Sequence, residues 1–157
     1  MNLSAKQDID APANYVCAQI ADFESWERAA MRRGVDIERA DTLQAPGPGM
    51  SWIAKFRYRG RDRTVGLKVE RVDLEGQFGF SFSSPQSDGV LGLELVSMAA
   101  NRTRALIKIE VRPKTFTAKL FLQSLRLAKS RVDKTVAQRA AHFGAEIEDR
   151  YQRSQQR

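Results

Sequence analysis

The sequence predicts an α+β domain: a curved antiparallel sheet of about seven strands around one long C-terminal helix, with two short helices after the first strand. Three observations carry this. Apolar and polar residues alternate with period two in a series of runs between Val35 and Val111. From Lys114 to Arg157 there is no proline and one glycine, Gly144, and apolar residues recur at steps of three and four. Two short helical segments lie between the first strand and the second. Period two marks a half-buried strand, and steps of three and four mark one face of a helix.

In the first run, Leu3, Ala5, Gln7 and Ile9 alternate with Ser4, Lys6, Asp8 and Asp10. Pro12 suits a first helical position, where its missing N–H is not needed. That helix runs to about Ala21. Asp22 is placed to cap the next one, with Phe23, Trp26, Ala29 and Ala30 on its packed side, and Gly34 ends it. Val35 and Ile37 open a modest second strand. Ala45-Pro46-Gly47-Pro48-Gly49 is a loop by composition; it reads equally as a flexible loop at a cavity mouth and as a simple long connection. Trp52, Ala54, Phe56 and Tyr58 then face one way; Ile53, Lys55, Arg57 and Arg59 face the other. After a turn at Gly60-Arg61-Asp62, the inward residues are Val65, Leu67 and Val69. Phe78, Phe80 and Phe82 follow, then Leu91, Leu93 and Leu95, then Ala105, Ile107, Ile109 and Val111. Pro113 closes the sheet. Phe121, Leu125, Ala128, Val132, Val136, Ala140, Phe143, Ile147 and Tyr151 form one continuous stripe on a helix about 50 Å long, with Gly144 its weak point. Residues 1–152 are expected to be one domain, followed by a short polar tail.

Composition narrows the function. The chain is 42% hydrophobic and 29% charged, which suits a folded domain. A single cysteine, Cys17, in an apolar run reads as a buried structural residue, and with one histidine leaves no cysteine- or histidine-based metal cluster. The opening residues carry charge and no apolar core, so a secretory leader is not expected and the cytoplasm is the expected location. No segment is apolar enough to span a bilayer. No glycine-rich phosphate loop is present, because Gly47-Pro48-Gly49 precedes no helix. No cofactor is expected.

The net charge of +7 is concentrated. Lys55, Arg57, Arg59, Arg61, Arg63, Lys68 and Arg71 lie among two acids, and Arg112, Lys114, Lys119, Arg126, Lys129, Arg131 and Lys134 lie with one. Such faces attract polyanions or simply solubilise. Lys55, Arg57 and Arg59 form a short row suited to phosphates. Aromatic residues do not interleave with it, so sequence-specific nucleic-acid binding is not expected.

Burying the apolar face of the sheet against the helix stripe satisfies both. A curved sheet around a helix, with two short helices over the gap, leaves room for a cavity. The inward positions Gln7, Trp26, Trp52, Phe56, Tyr58, Leu67, Phe80, Leu93 and Ile107 are candidates to line it, joined by Phe121 and Leu125 from the helix. Tyr58 is the only hydroxyl among the inward strand residues. Gln7 needs a partner for its amide. His142 has no neighbour in sequence with which to form a dyad.

The run Ile9-Asp10-Ala11-Pro12, Val16, Ile20-Ala21-Asp22-Phe23 and Trp26, followed by Trp52 and a long final helix, resembles the helix-grip fold of the START and birch-pollen-allergen-like superfamily. It looks most like bacterial members of the polyketide cyclase/dehydrase type. The resemblance implies an internal cavity for a lipid, quinone or polyketide-like molecule. It carries no common catalytic set, so no catalytic residue is assigned. Three functions stay open: a carrier or sensor of an apolar ligand; a cyclase, aromatase or dehydrase that works by holding its substrate folded; and an adaptor whose basic surface meets RNA, a ribosome or an anionic membrane. A homodimer is a further open partner.

Overall fold

The computed structural model describes residues 1–157 and has the expected α+β helix-grip architecture. In chain order the elements are β1 (Asn2–Ile9), α1 (Ala13–Ala21), α2 (Phe23–Arg32), β2 (Asp36–Arg39), β3 (Ser51–Tyr58), β4 (Arg61–Asp73), β5 (Gln77–Ser83), β6 (Ser87–Ala99), β7 (Arg102–Pro113), α3 (Phe116–Leu127) and α4 (Lys129–Gln155). The seven strands form one antiparallel sheet in the order β1-β7-β6-β5-β4-β3-β2. Strands β2 to β7 are sequential neighbours. Only the passage from β1 to β2 crosses from one edge to the other, and α1 and α2 make it. Those two helices therefore span the open side of the curve.

The local chemistry follows the residues. Asp22 caps α2 by accepting from Ser25 N at 3.3 Å, and Gly34 takes the positive φ, 85°, that ends it. Pro12 sits one position earlier than expected, as the extended residue just before α1. The β3–β4 turn is also shifted. It consists of Arg59 (φ 52°) and Gly60 (φ 74°), a two-residue connection that matches the strand twist with both central residues at positive φ. Arg59 thus leaves the outward row of Lys55 and Arg57, and its guanidinium stacks over Tyr58 at 5.3 Å.

The long helix is two helices. The break falls at Ala128 (φ −105°, ψ 31°), not at Gly144. A straight helix over residues 116–155 would be about 60 Å long, against about 40 Å for the longest strands. The bend keeps α3 beside β7 while α4 lies along β1. Gly144 instead marks the closest approach of α4 to the sheet. A Cβ there would sit 3.1 Å from Gln7 Cγ and 3.3 Å from Ile9 Cγ1. The apolar residues of α3 do not form a buried face: Phe116, Leu120, Phe121 and Leu127 are exposed, and Leu122 and Leu125 are half-buried.

The packed core is in two parts. One gathers Ile9, Val16, Cys17, Ile20, Phe78, Leu93, Leu95, Ala105 and Ile147. The other is Phe23, Met50, Trp52 and Val69. Thr103, fully buried, donates to the Ala11 carbonyl at 2.8 Å and ties β7 to the start of α1. Cys17 is buried among the first group, and burial raises its thiol pKa.

On the outer face of β1, Asp8 receives Arg104 through two hydrogen bonds (2.8 and 3.2 Å) and Arg102 through one (3.0 Å). Chiefly the Arg104 bonds lower its pKa to about 2. An unfolded aspartate titrates at about 3.9. The lowered value adds stability above that pH, and the addition is lost as pH falls from about 4 through about 2. Urea unfolding at pH 6 and pH 2.5 is therefore expected to show a smaller acid-induced loss for Asp8→Asn than for the wild type; equal losses would count against this ion pair.

Candidate functional site

Between the two core groups lies a cavity of about 470 Å³. Its walls take Ile20 and Leu93 from the first group and Phe23 and Trp52 from the second. The sheet adds Ile37, Leu67, Phe80, Phe82, Leu91 and Ile107; α2 adds Trp26, Glu27 and Ala30; α4 adds Phe143. Thirteen of the sixteen lining residues are hydrophobic. The volume is in the range of small-molecule sites. The bulk of Phe78, Phe80 and Phe82 does not close it. Phe78 is absorbed into the core, and Phe82 folds over a glycine: a Cβ on Gly89 would sit 2.0 Å from Phe82 Cζ.

The aromatic wall is ordered by contacts that leave little polar capacity. Trp26 stacks on Phe143 with centroids 6.1 Å apart, and its Nε1 donates to the Ile20 carbonyl at 3.2 Å. Phe23 meets Trp52 edge-on at 5.9 Å and Phe80 at 6.4 Å. Trp52 Nε1 donates to Glu27 Oε1. The other two polar lining residues, Lys68 and Ser81, turn to the outer face, where both meet Glu70 (4.0 and 2.7 Å). Glu27 is thus the one polar side chain that the cavity wall presents.

Of the eleven residues expected to line a cavity, six do: Trp26, Trp52, Leu67, Phe80, Leu93 and Ile107. Five lie elsewhere. Gln7 is half-buried at the α4 contact, and its amide donates to the Asp8 carbonyl at 3.0 Å. Phe56 is half-buried beyond the lining, and Tyr58, two residues on, is 55% exposed. The inward face of β3 therefore emerges into water at the hairpin tip. Leu125 is half-buried and Phe121 exposed on α3, away from the cavity. The loop before β3 contributes no residue to the cavity lining. It is pinned by Gly49 N to Val69 O (2.8 Å) and by Asp41, which accepts from Ser51 N, Leu43 N and Arg39. His142 is exposed beside Glu146 at 3.4 Å.

Ten lining residues were absent from the expected site, among them Phe23, Glu27, Ala30, Ile37 and Phe143. The spacing held a signal for α2, since Phe23, Trp26, Glu27 and Ala30 recur at steps of three and four and share one face. A second hollow, of about 460 Å³, lies on the outer face over Gly66, Ser81 and Ser83. Four of its polar groups pair with one another: Ser83 bonds Asp88 at 2.6 Å and Arg112 bonds Glu110 at 3.0 Å.

No protein-family model and no curated protein matches this chain. Solved structures do. A protein of Thermus thermophilus superposes with a TM-score of 0.67 at 15% identity, over 98% of this chain and 99% of that one. The Zhui aromatase/cyclase of a Streptomyces species matches with a TM-score of 0.67 at 15% identity, over 96% and 94%. A START superfamily protein of Mycobacterium smegmatis matches with a TM-score of 0.56 at 12% identity, over 86% and 96%. These likenesses establish a START-like helix-grip fold and, at such identities, nothing finer.

The Phe82–Gly89 contact is testable in isolation. Gly89→Ala is expected to cost about 1–3 kcal/mol by overpacking, read by urea unfolding, and to cost much less when Phe82→Ala has removed the ring. Equal costs in both backgrounds would show that the ring is not what excludes a side chain at position 89.

Proposed function

We propose that this protein binds an apolar small molecule in the cavity between its two core groups, as a carrier or sensor. The observation that carries the reading is the lining. Thirteen hydrophobic residues line about 470 Å³ of space, and a concave, mostly apolar hollow of this volume with few polar groups is the usual form of a small-molecule site. A lipid-, quinone- or polyketide-like molecule has the matching chemistry. The aromatase/cyclase among the similar structures makes turnover of a bound substrate the alternative outcome.

A second surface supports a place of work. Helix α3 has no buried residue. At 100° per residue, Phe116, Leu120 and Leu127 fall within about 40° of arc, opposite the half-buried Ala118, Leu122 and Leu125. Phe116 is 74% exposed and Leu127 92%. Lys119 and Arg126 lie along one side of this arc, and neither they nor Lys129, Arg131 and Lys134 have an acid within 4.0 Å. An apolar ridge beside unpaired cations complements an anionic bilayer surface. Two copies of so basic a helix would repel. No helix is long and apolar enough to cross a membrane, so α3 would lie on the surface, where apolar ligands are found.

Two measurements test these readings. The neutral dye N-phenyl-1-naphthylamine is expected to brighten on binding near one equivalent, with an affinity unchanged between low and physiological salt. No binding, or a steep salt dependence, would contradict the cavity reading. Protein is expected to sediment with vesicles containing phosphatidylserine, less so at high salt, and about tenfold less for Phe116→Ser with Leu120→Ser. Equal binding to uncharged vesicles, or none, would contradict the membrane reading.

A further inference from the structure

The hydrogen-bonding capacity around the cavity is almost wholly used within the protein. Both indole N–H groups are donated, one to the Ile20 carbonyl and one to Glu27. Lys68 and Ser81 turn to the outer face. What remains belongs to Glu27. Its Oε1 accepts from Trp52, and its Oε2 has no protein partner. An ionised carboxylate offers about four acceptor sites and no donor, so a bound molecule meets an acceptor with open capacity in an otherwise apolar wall.

The two tryptophans that face the cavity also carry cations. The Arg39 guanidinium lies 6.0 Å from the Trp52 ring centroid, and that of Arg150 lies 5.8 Å from the Trp26 ring centroid. The Arg39 charge is met by Asp41 through two hydrogen bonds (2.9 and 2.6 Å), whereas Arg150 bonds only the neutral Gln19 at 3.2 Å and so balances the single charge of Glu27 across the wall. A ligand cation would meet Arg150 as well as Glu27, and a ligand anion would face the Glu27 carboxylate.

We infer that the cavity selects apolar molecules bearing one neutral hydroxyl, and that Glu27 is the residue that reads it. This rests on the proposed apolar-ligand reading and narrows it. A hydroxyl donated to Glu27 makes a charge-assisted hydrogen bond. A ketone or ether oxygen in its place sets acceptor against acceptor. A hydrocarbon end strips water from the carboxylate and returns nothing. The polar group of the ligand therefore sits at α2, and its apolar body extends past Phe80 and Leu93 toward Ile107.

The test uses the full chain and displacement of N-phenyl-1-naphthylamine by three matched probes: 4-octylphenol, its methyl ether, and the cation 4-octylbenzylammonium. The wild type is expected to bind the phenol about tenfold or more tighter than the ether. In Glu27→Leu the phenol-to-ether ratio is expected to fall to near one. In Glu27→Gln, which keeps an uncharged acceptor, it is expected to fall part of the way. Circular dichroism melts establish that each variant is folded; should Glu27→Leu not fold, the drop in Glu27→Gln decides. Equal binding of phenol and ether by the wild type, or a ratio unmoved by the folded variants, would overturn the role of Glu27 while leaving the apolar cavity standing. Tightest binding of the ammonium probe would overturn a neutral donor. Failure of all three probes and the dye to bind would remove the apolar-ligand reading itself.

Discussion

Helix α4 lies directly on β1 because Gly144 puts no side chain between them, and the placement of everything else follows from that contact. With Gln7 Cγ and Ile9 Cγ1 at 3.1 and 3.3 Å from where a Cβ would be, the helix closes on the edge strand. Ile147 and Ile9 then pack with Val16 of α1 in one buried group. The grip is local. It secures the β1–β7–β6 side of the sheet, while the concave face of β3, β4 and β5 is covered by α2 and by the ring of Phe143. The space left between these two attachments is the cavity.

This arrangement separates roles along the chain. The contact that holds the long helix to the edge strand is made by aliphatic residues, Ile9, Val16 and Ile147, at 0 to 1% exposure. Six of the sixteen residues that face the cavity are aromatic, and the contacts of Phe23, Trp26, Trp52, Phe80 and Phe143 are edge-on or stacked, at 5.9 to 6.4 Å between centroids. Such contacts define a surface without filling the volume in front of it. The polar groups that the aromatic residues carry are turned away from that volume or onto Glu27. Helix α3, past the bend at Ala128, takes no part in either the core or the cavity, and so is free to present Phe116, Leu120 and Leu127 to another surface.

Much of the fold was legible in the sequence because burial on one face imposes a strict period. Trp52, Ala54 and Phe56, or Leu91, Leu93 and Leu95, cannot be shifted by one position without exposing the whole set. The same regularity marked Trp52, Leu67, Phe80, Leu93 and Ile107 as inward, and the α2 pattern marked Trp26. It could not tell where the inward face runs out, so Phe56 and Tyr58 were placed in a cavity that ends before them. The β3–β4 turn was misplaced because an arginine at positive φ runs against its conformational preference. The bend at Ala128 has no glycine or proline to announce it. Gly144 was conspicuous, but a helical glycine signals either weakness or close approach, and only the packing distinguishes them. Glu27 was overlooked because a glutamate on a short polar helix usually faces water, although it shares a face with Phe23 and Ala30.

The central claim, that the space beside Trp26 and Trp52 takes an apolar molecule, has a built-in probe: these are the only two tryptophans in the chain, and both line the cavity. The most direct measurement is a fluorescence titration with a brominated alcohol such as 2-bromododecan-1-ol, whose heavy atom quenches indole emission on contact. Saturable loss of most of the tryptophan emission near one equivalent is the predicted result. Emission that stays constant, or declines in proportion to quencher without saturating, would contradict an apolar binding cavity at this place.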